Sequence, residues 1–303
     1  MKRAIVYLCL LWIPLVSMAQ ATGLSSSQIR VTPEDIAVYE KVMEVLAPLR
    51  GESMPVIIMK AAEAMLETPY AGGTLEHEPE MLTVSLARTD CILLVEACVA
   101  MAQTARQEDR SFEAFCENLK QFRYRDGMVD GYASRIHYTS EWILQAKARG
   151  LAAELSGNIA GTPLEQRFSY MSSHSEKYPL LASDKELVSR IAAMEERLRQ
   201  EEYFFIPKTK LESNLDNIHH GDMICFVTNT EGLDISHVAF AFEYYECEHD
   251  CCTDGRGCSN GQRQLGFLHA SSKERKVVVD KMTLTGYVNG LASCSGIRIV
   301  RFL

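Results

Sequence analysis

Apolar positions along the chain fall into two regimes. Up to about residue 200 they recur every three or four positions, the spacing of one helix face. Thr32-Pro33-Glu34 predicts a helix start, with a capping hydroxyl, a proline in the first turn and an acid at the positive end, and Ile36, Tyr39, Met43 and Leu46 follow in phase. A second helix is predicted from Val56 to Leu66, ending before Pro69 because proline disfavours helical backbone in the residue ahead of it. Thr89-Asp90 then caps a strongly apolar helix on which Ile92, Val95, Glu96 and Val99 step along one side and Cys91 occupies the first turn. Phe112 to Leu119 with Ser111 as cap, Glu141 to Ala148, and Asp184 to Gln200 complete the predicted helices, and Leu82 to Leu86 alternates as a strand would.

Beyond residue 220 the period drops to two. Asp222 to Thr228, Ile235 to Tyr245, Leu265 to Ser271, Lys276 to Val279 and Ile297 to Phe302 are rich in β-branched and aromatic residues and bounded by Gly, Asn and Asp. Helices first and antiparallel strands later predict an α+β fold. With no internal repeat and no low-complexity linker, residues 20–303 are expected to form one domain.

The composition of the 303 residues, 47% hydrophobic and 23% charged, is ordinary for a soluble globule. A net charge of -9 without a basic run speaks against a nucleic-acid or anionic-membrane partner. The first 19 residues look like a secretory signal: Lys2 and Arg3, an apolar stretch from Ala4 to Val16, then Ser17, Met18 and Ala19. That stretch is short of the roughly 20 residues a bilayer span needs. An uncleaved anchor is the alternative. The expectation is an exported protein, periplasmic or secreted, without stable membrane insertion after cleavage.

Export makes disulfides possible. Of ten cysteines, Cys247, Cys251, Cys252 and Cys258 crowd into a segment at 246–262. His249 adds a further metal-binding atom, but adjacent cysteines do not follow the paired spacing of zinc sites. Two disulfide bridges are expected, with Cys251 and Cys252 joined to different partners.

Three residues have the chemistry of a nucleophilic centre. Cys91, in a first helical turn, faces free backbone N–H groups and the positive end of the helix dipole, which predicts a lowered thiol pKa and an oxyanion site. Cys98, seven residues on and mid-helix, reads as core. In the strand Ile235-Ser236-His237-Val238-Ala239-Phe240-Ala241, alternation puts His237 on one face with Ala239 and Ala241, small residues that would admit the Cys91 helix. His269, on the next strand with Leu265 and Phe267, could orient His237 through its second nitrogen. Spacing alone does not make these three a triad.

The motifs around them resemble those of the NlpC-like cell-wall cysteine peptidases. Thr68-Pro69-Tyr70-Ala71-Gly72-Gly73 is similar to their Pro-Tyr-x-x-Gly loop and Thr89-Asp90-Cys91 to their Asp-Cys helix start. Gly221-Asp222-Met223-Ile224, Ser236-His237-Val238-Ala239 and Leu268-His269-Ala270-Ser271 resemble the three strands that follow, in family order. Tyr132 to Ile143, Gly232 to His237 and Gly296 to Arg301 further resemble the N-acetylmuramoyl-L-alanine amidase-like branch, long catalogued as a domain of unknown function. The resemblance runs from about Val56 to Arg301.

It implies a papain-like core, in which a helix bearing the nucleophilic cysteine packs on an antiparallel sheet bearing the histidines. It also implies hydrolysis of the bond between N-acetylmuramic acid and the first stem-peptide alanine, in anhydro-muropeptide fragments. Cys91 would be nucleophile, His237 base and His269 its orienter, with no metal or organic cofactor and a muropeptide as the only expected partner of a monomer. Substrate contacts would come from Tyr70, Asp90, Arg123, Arg135, His137, Tyr138 and Trp142. Arg135, His137 and Trp142 offer a cation, a switchable donor and a stacking face, while Arg123 and Arg125 could meet a stem-peptide carboxylate. Asp90 reads more as a helix cap than as a chemical participant. Ile92-Leu93 replaces the small Ser-Gly pair of typical NlpC-like peptidases, which favours the amidase branch over an endopeptidase cutting after D-glutamate. A catalytically silent wall-binding protein is the alternative of another class.

Overall fold

The computed structural model describes residues 29–246 and 262–303. The first half is helical: α1 (Pro33–Leu46), α2 (Met54–Ala64), α3 (Cys91–Arg106), α4 (Phe112–Arg123) and α5 (Thr139–Ala148). Three single turns follow, α6 (Ser156–Ile159), α7 (Tyr170–Ser173) and α8 (Pro179–Ala182), then α9 (Lys185–Leu198), α10 (Lys208–Leu211) and α11 (Leu284–Gly290). β1 (Ile29–Arg30) and β2 (Leu82–Thr83) make a small parallel pair. The other strands are β3 (Ala152–Glu154), β4 (Thr162–Pro163), β5 (Phe204–Pro207), β6 (Met223–Thr228), β7 (Ile235–Glu246), β8 (Gln262–Ser271), β9 (Lys276–Val279) and β10 (Cys294–Phe302). They form one antiparallel sheet in the order β4-β5-β10-β6-β7-β8-β9, with β3 also paired to β10. The α+β architecture expected from the change of period is the one observed.

Local chemistry explains where the elements start and stop. Thr32 caps α1 in a reciprocal box with Asp35, whose Oδ2 accepts the Thr32 N–H at 3.0 Å. The other oxygen of Asp35 accepts the N–H groups of Leu86 and Ala87 at 2.7 and 2.9 Å. Those N–H groups are thereby taken from any ladder, so the strand predicted over Leu82–Leu86 is only two residues long. Asp90 and Ser111 cap α3 and α4 as expected, and Asp184 caps α9. Gly221 enters β6 at φ +88, and a Cβ there would meet Pro55 at 2.8 Å, so glycine is required on both counts. Asp222 beside it is held by Arg301 at 2.7 Å.

The two faces of the sheet bury different cores. Val238, Phe240, Leu268 and Ala270 face the helices and pack with Leu94, Val95 and Cys98 of α3. Ala239 and Ala241 face the other way, into a cluster with Leu284 and Val288 of α11. The small-residue face thus does not receive the Cys91 helix, contrary to the sequence expectation. The space beside its alanines is filled by bulky cross-strand neighbours, Ile224 opposite Ala239 and Phe267 opposite Ala241. Among the described residues no helix is long and apolar enough to cross a membrane. The cysteines at 247, 251, 252 and 258 lie outside the described residues. Glu246 and Gln262, which flank them, pair across β7 and β8 in a ladder that runs without a break from Phe240. Nine residues of strand separate Glu246 from His237, about 30 Å.

Candidate active site

Cys91 reaches the sheet where two strands part. Pairing of β7 with β8 ends at Phe240–Leu268. The N–H of Val238, next to His237, donates instead toward the Cys91 sulfur, as do the N–H groups of Ile92 and of Cys91 itself. Asp90 Oδ1 caps the same turn by accepting from Leu93 N at 3.0 Å. The thiol is nonetheless not acidic. Burial, helped by the neighbouring Asp90 carboxylate, pushes it up to about 12 against the pull of the three N–H groups. The expected lowering at a helix start is overturned because desolvation of the thiolate is the larger effect.

His237 follows a break in register between Phe226 and Val227, where β6 and β7 fall out of step at Ser236. Its Nε2 lies 2.7 Å from His269 Nδ1, and the far nitrogen of His269 is 3.3 Å from Asp280 Oδ2, a charge contact off the line of a straight hydrogen bond. This order leaves His237 Nδ1 free of the relay. Burial and the adjacent His269 drive the His237 pKa down to about 3, so the ring is neutral at physiological pH. His269 is lowered too, by burial that outweighs the attraction of Asp280.

Cys91 and His237 line a cavity of about 290 Å³. Its floor is built from ion pairs of two buried arginines. Arg123 Nε donates to Glu96 Oε2 at 2.8 Å, with both side chains about 95% buried. Arg135 contacts Glu76 at 2.9 Å and Glu80 at 3.3 Å and lies over the Tyr132 ring. Several roles expected from sequence change accordingly. Arg123 ends α4, and its charge is spent on Glu96. Arg125 is bound to Glu141 and to the Ala133 carbonyl and does not line the cavity. Neither is a free cation for a carboxylate.

His137 is no switchable donor. Burial and Arg135 hold it well below the ordinary histidine range, and its Nε2–H donates to Tyr132 O at 3.0 Å. Tyr138 turns its hydroxyl away from the cavity, donating to Glu195 at 2.7 Å and accepting from Met171 N at 3.1 Å. The face of Trp142 is covered by Phe122, stacked at 5.3 Å, so the ring presents no free surface for a sugar. Its indole N–H, however, has no partner among the described residues although the ring lines the cavity. Tyr70 does not line this cavity, but its hydroxyl is near enough for Cys91 to raise its pKa after burial has done so.

Glu96, Asp280 and Asp234 were not singled out by sequence as site residues. Glu96 had one signal, a carboxylate inside the apolar stripe of α3. Asp234 Oδ2 accepts the Ser140 N–H at 2.7 Å, and Arg298 Nη1 donates to Ser140 Oγ at 2.6 Å. This link ties the Arg135–Trp142 segment to the loop entering the His237 strand and keeps the two walls of the cavity in register.

The chain matches the AmiA-like, N-acetylmuramoyl-L-alanine amidase-like family over residues 60–294. It is 34% identical to an N-acetylmuramoyl-L-alanine amidase of Bacteroides uniformis, with a TM-score of 0.72, covering 82% of this chain and 98% of that one. A Bacteroides fragilis protein provisionally named a xylanase is 38% identical, with a TM-score of 0.70 and coverage of 80% and 98%. A Legionella pneumophila protein, 22% identical with a TM-score of 0.61 over 89% and 95% of the two chains, shares the fold. No protein of curated function matches. With the match spanning most of its length, the chain belongs to the AmiA-like family of N-acetylmuramoyl-L-alanine amidase-like proteins.

Proposed function

We propose that this protein is an exported cysteine amidase that hydrolyses the bond between N-acetylmuramic acid and the first alanine of the stem peptide, with anhydro-muropeptide fragments as substrate. The observation that carries this reading is that Cys91 and His237 line one cavity with fixed polar groups, while His237 is joined to His269 and His269 faces Asp280. The same arrangement supports a papain-like reading of the α3 helix and its sheet.

At rest both members of the pair are neutral, a thiol and an imidazole. His237 Nε2–H donates to His269 Nδ1, which leaves His237 Nδ1 as base. As the sulfur attacks the lactyl carbonyl carbon, its proton moves to that nitrogen. The negative charge passes to the carbonyl oxygen, where the Cys91 N–H at the start of α3 would help to hold it. The C–N bond then breaks, the imidazolium protonates the alanine nitrogen, and a thioester remains on Cys91. Water, deprotonated by His237, hydrolyses that ester and restores the thiol.

A glycosidase would need two free carboxyls flanking the bond. Here Glu76 and Glu96, the carboxylates of the cavity beside Asp90, are tied to Arg135 and Arg123, so the amidase reading is favoured over a sugar-cleaving one. Mass spectrometry of products from a disaccharide-tetrapeptide tests it. Intact tetrapeptide and free disaccharide are expected. An alanyl-glutamate dipeptide still joined to sugar would establish an endopeptidase instead, and no cleavage would support a silent wall-binding protein.

A further inference from the structure

A second cavity, of about 910 Å³, opens behind His237. Ser236 and His237 line both cavities, Cys91 lines only the smaller, and His269 and Asp280 line only the larger. We propose that the larger cavity is the subsite for the stem peptide, and that Lys273 and Lys281 bind its carboxylates. The proposal rests on the amidase reading, whose chemistry assigns the two sides. In acyl transfer the acyl half becomes bonded to sulfur, so it occupies the cavity that holds Cys91. The alanine nitrogen leaves with a proton from His237 Nδ1, beside the sulfur, and the peptide beyond it extends into the cavity that His237 shares but Cys91 does not line.

Size and charge agree with this division. The smaller volume lies at the lower end of ligand pockets and the larger near the upper end, as a single acylated sugar and a peptide would require. In the smaller cavity Arg123 and Arg135 are already neutralised by glutamates, so no cation is left there for a peptide carboxylate. In the larger, Lys276 is paired with Glu67 and Asp280 faces His269. Lys273 and Lys281 are exposed, line the cavity from two separate turns, and have no ion-pair partner among the described residues. The exposed Glu274 on the first of these turns makes the rim mixed in sign, which suits a peptide carrying an amine as well as carboxylates.

The test is calorimetric titration of the full-length protein with the tripeptide alanyl-γ-glutamyl-diaminopimelate and with its carboxyl-amidated counterpart. Wild type and the double variant Lys273→Gln/Lys281→Gln are compared. The variant should bind the acidic tripeptide about five- to tenfold more weakly, as two exposed ion pairs allow. Amidation should weaken binding to wild type by a similar factor and have little further effect in the variant, because both changes remove the same contacts. The variant should also show a raised KM and unchanged kcat on a muramoyl-tetrapeptide, and unchanged kinetics on muramoyl-alanine. Undetectable tripeptide binding in wild type, equal binding in both proteins, or an effect indifferent to amidation would overturn the subsite even if the muramoyl–alanine bond is cut. Binding with the expected lysine and carboxylate dependence, but without cleavage of that bond, would keep the subsite and remove the amidase reading.

Discussion

The two cavities that meet at His237 are built in opposite ways. The one beside Cys91 is floored by buried arginines whose charges are met by glutamates, the side chains of Glu96 and Glu80 buried and Glu76 exposed, with an indole N–H and a neutral imidazole fixed among them. The one behind His237 is larger and carries solvated lysines at its rim. An arginine held in two or more directions is a rigid wall, and a rigid wall sets the position of what leans on it. A lysine in water offers charge without fixed geometry. On the proposed division of the substrate, the difference teaches that the Cys91 side would select one shape, while the far side would tolerate variation in what extends from it.

The comparison breaks most severely at the sulfur. Cys91→Ala should lower hydrolysis by at least about a thousandfold, because the proposed nucleophile is lost whichever cavity is filled. Cys98→Ala, two turns along the same helix and wholly buried, should retain activity and lose roughly 1 kcal/mol of stability. Activity surviving in Cys91→Ala, read by muropeptide chromatography, would remove the mechanism. His269→Ala should lower kcat about a hundredfold with little change in KM, since it orients the base rather than the substrate. Asp280→Asn should have a smaller effect of the same kind, and a change confined to KM in either variant would assign these groups to binding.

The two cavity floors should also differ in what they contribute to folding. Glu96→Gln leaves Arg123 buried beside a neutral amide, which should cost about 3 kcal/mol in urea denaturation. Lys281→Gln should leave the midpoint unchanged. Equal small effects would mean that the Arg123–Glu96 pair is hydrated and the cavity beside Cys91 is not rigid.

A further measurement concerns the resting thiol. Its pKa is raised, to about 12, so the reactive thiolate is present only at high pH. Iodoacetamide alkylation of Cys91 should therefore be very slow at pH 6 and rise roughly tenfold per pH unit between 7 and 10. His237, lowered to about 3, remains neutral across that range and adds no inflection. A plateau already reached below pH 8 would mean that thiolate and imidazolium exist before substrate binds.

Much of this was legible in the chain because it is encoded locally. The caps Thr32, Asp90, Ser111 and Asp184 and the alternation of β6 to β8 mark their elements without help from tertiary structure. That His237 and His269 meet was legible by resemblance. What escaped was set by distant partners. β3, β4 and β5 are two to four residues long and exist only because β10 and one another supply ladders. Arg123 read as an available cation because nothing in its neighbourhood announces Glu96, 27 positions earlier. Trp142 read as a stacking face because Phe122, which covers it, lies on another helix. Asp280 sits in a loop after β9, where no periodicity points to a histidine.

The smallest expected effect sharpens the account of Trp142. The ring is 98% buried, packed flat on Phe122 and edge-on to Phe302, so most of its surface belongs to the core. Only its N–H is left over, buried at the cavity and without a partner among the described residues. A buried donor is costly to leave unsatisfied, and a ligand acceptor placed there would offset that cost. Trp142→Phe keeps an aromatic ring against Phe122 but removes the donor. If the N–H meets the acyl half of the substrate, KM for muramoyl-alanine should rise by about five- to tenfold, the worth of one hydrogen bond of roughly 1 to 1.4 kcal/mol. The affinity for free stem peptide, which would occupy the other cavity, should not change. The volume lost between indole and phenyl should lower stability modestly, and a thermal melt separates that from the kinetic effect. An unchanged KM on muramoyl-alanine would return Trp142 wholly to the core. A matching loss of free-peptide binding would mean that the two cavities do not divide the substrate at His237.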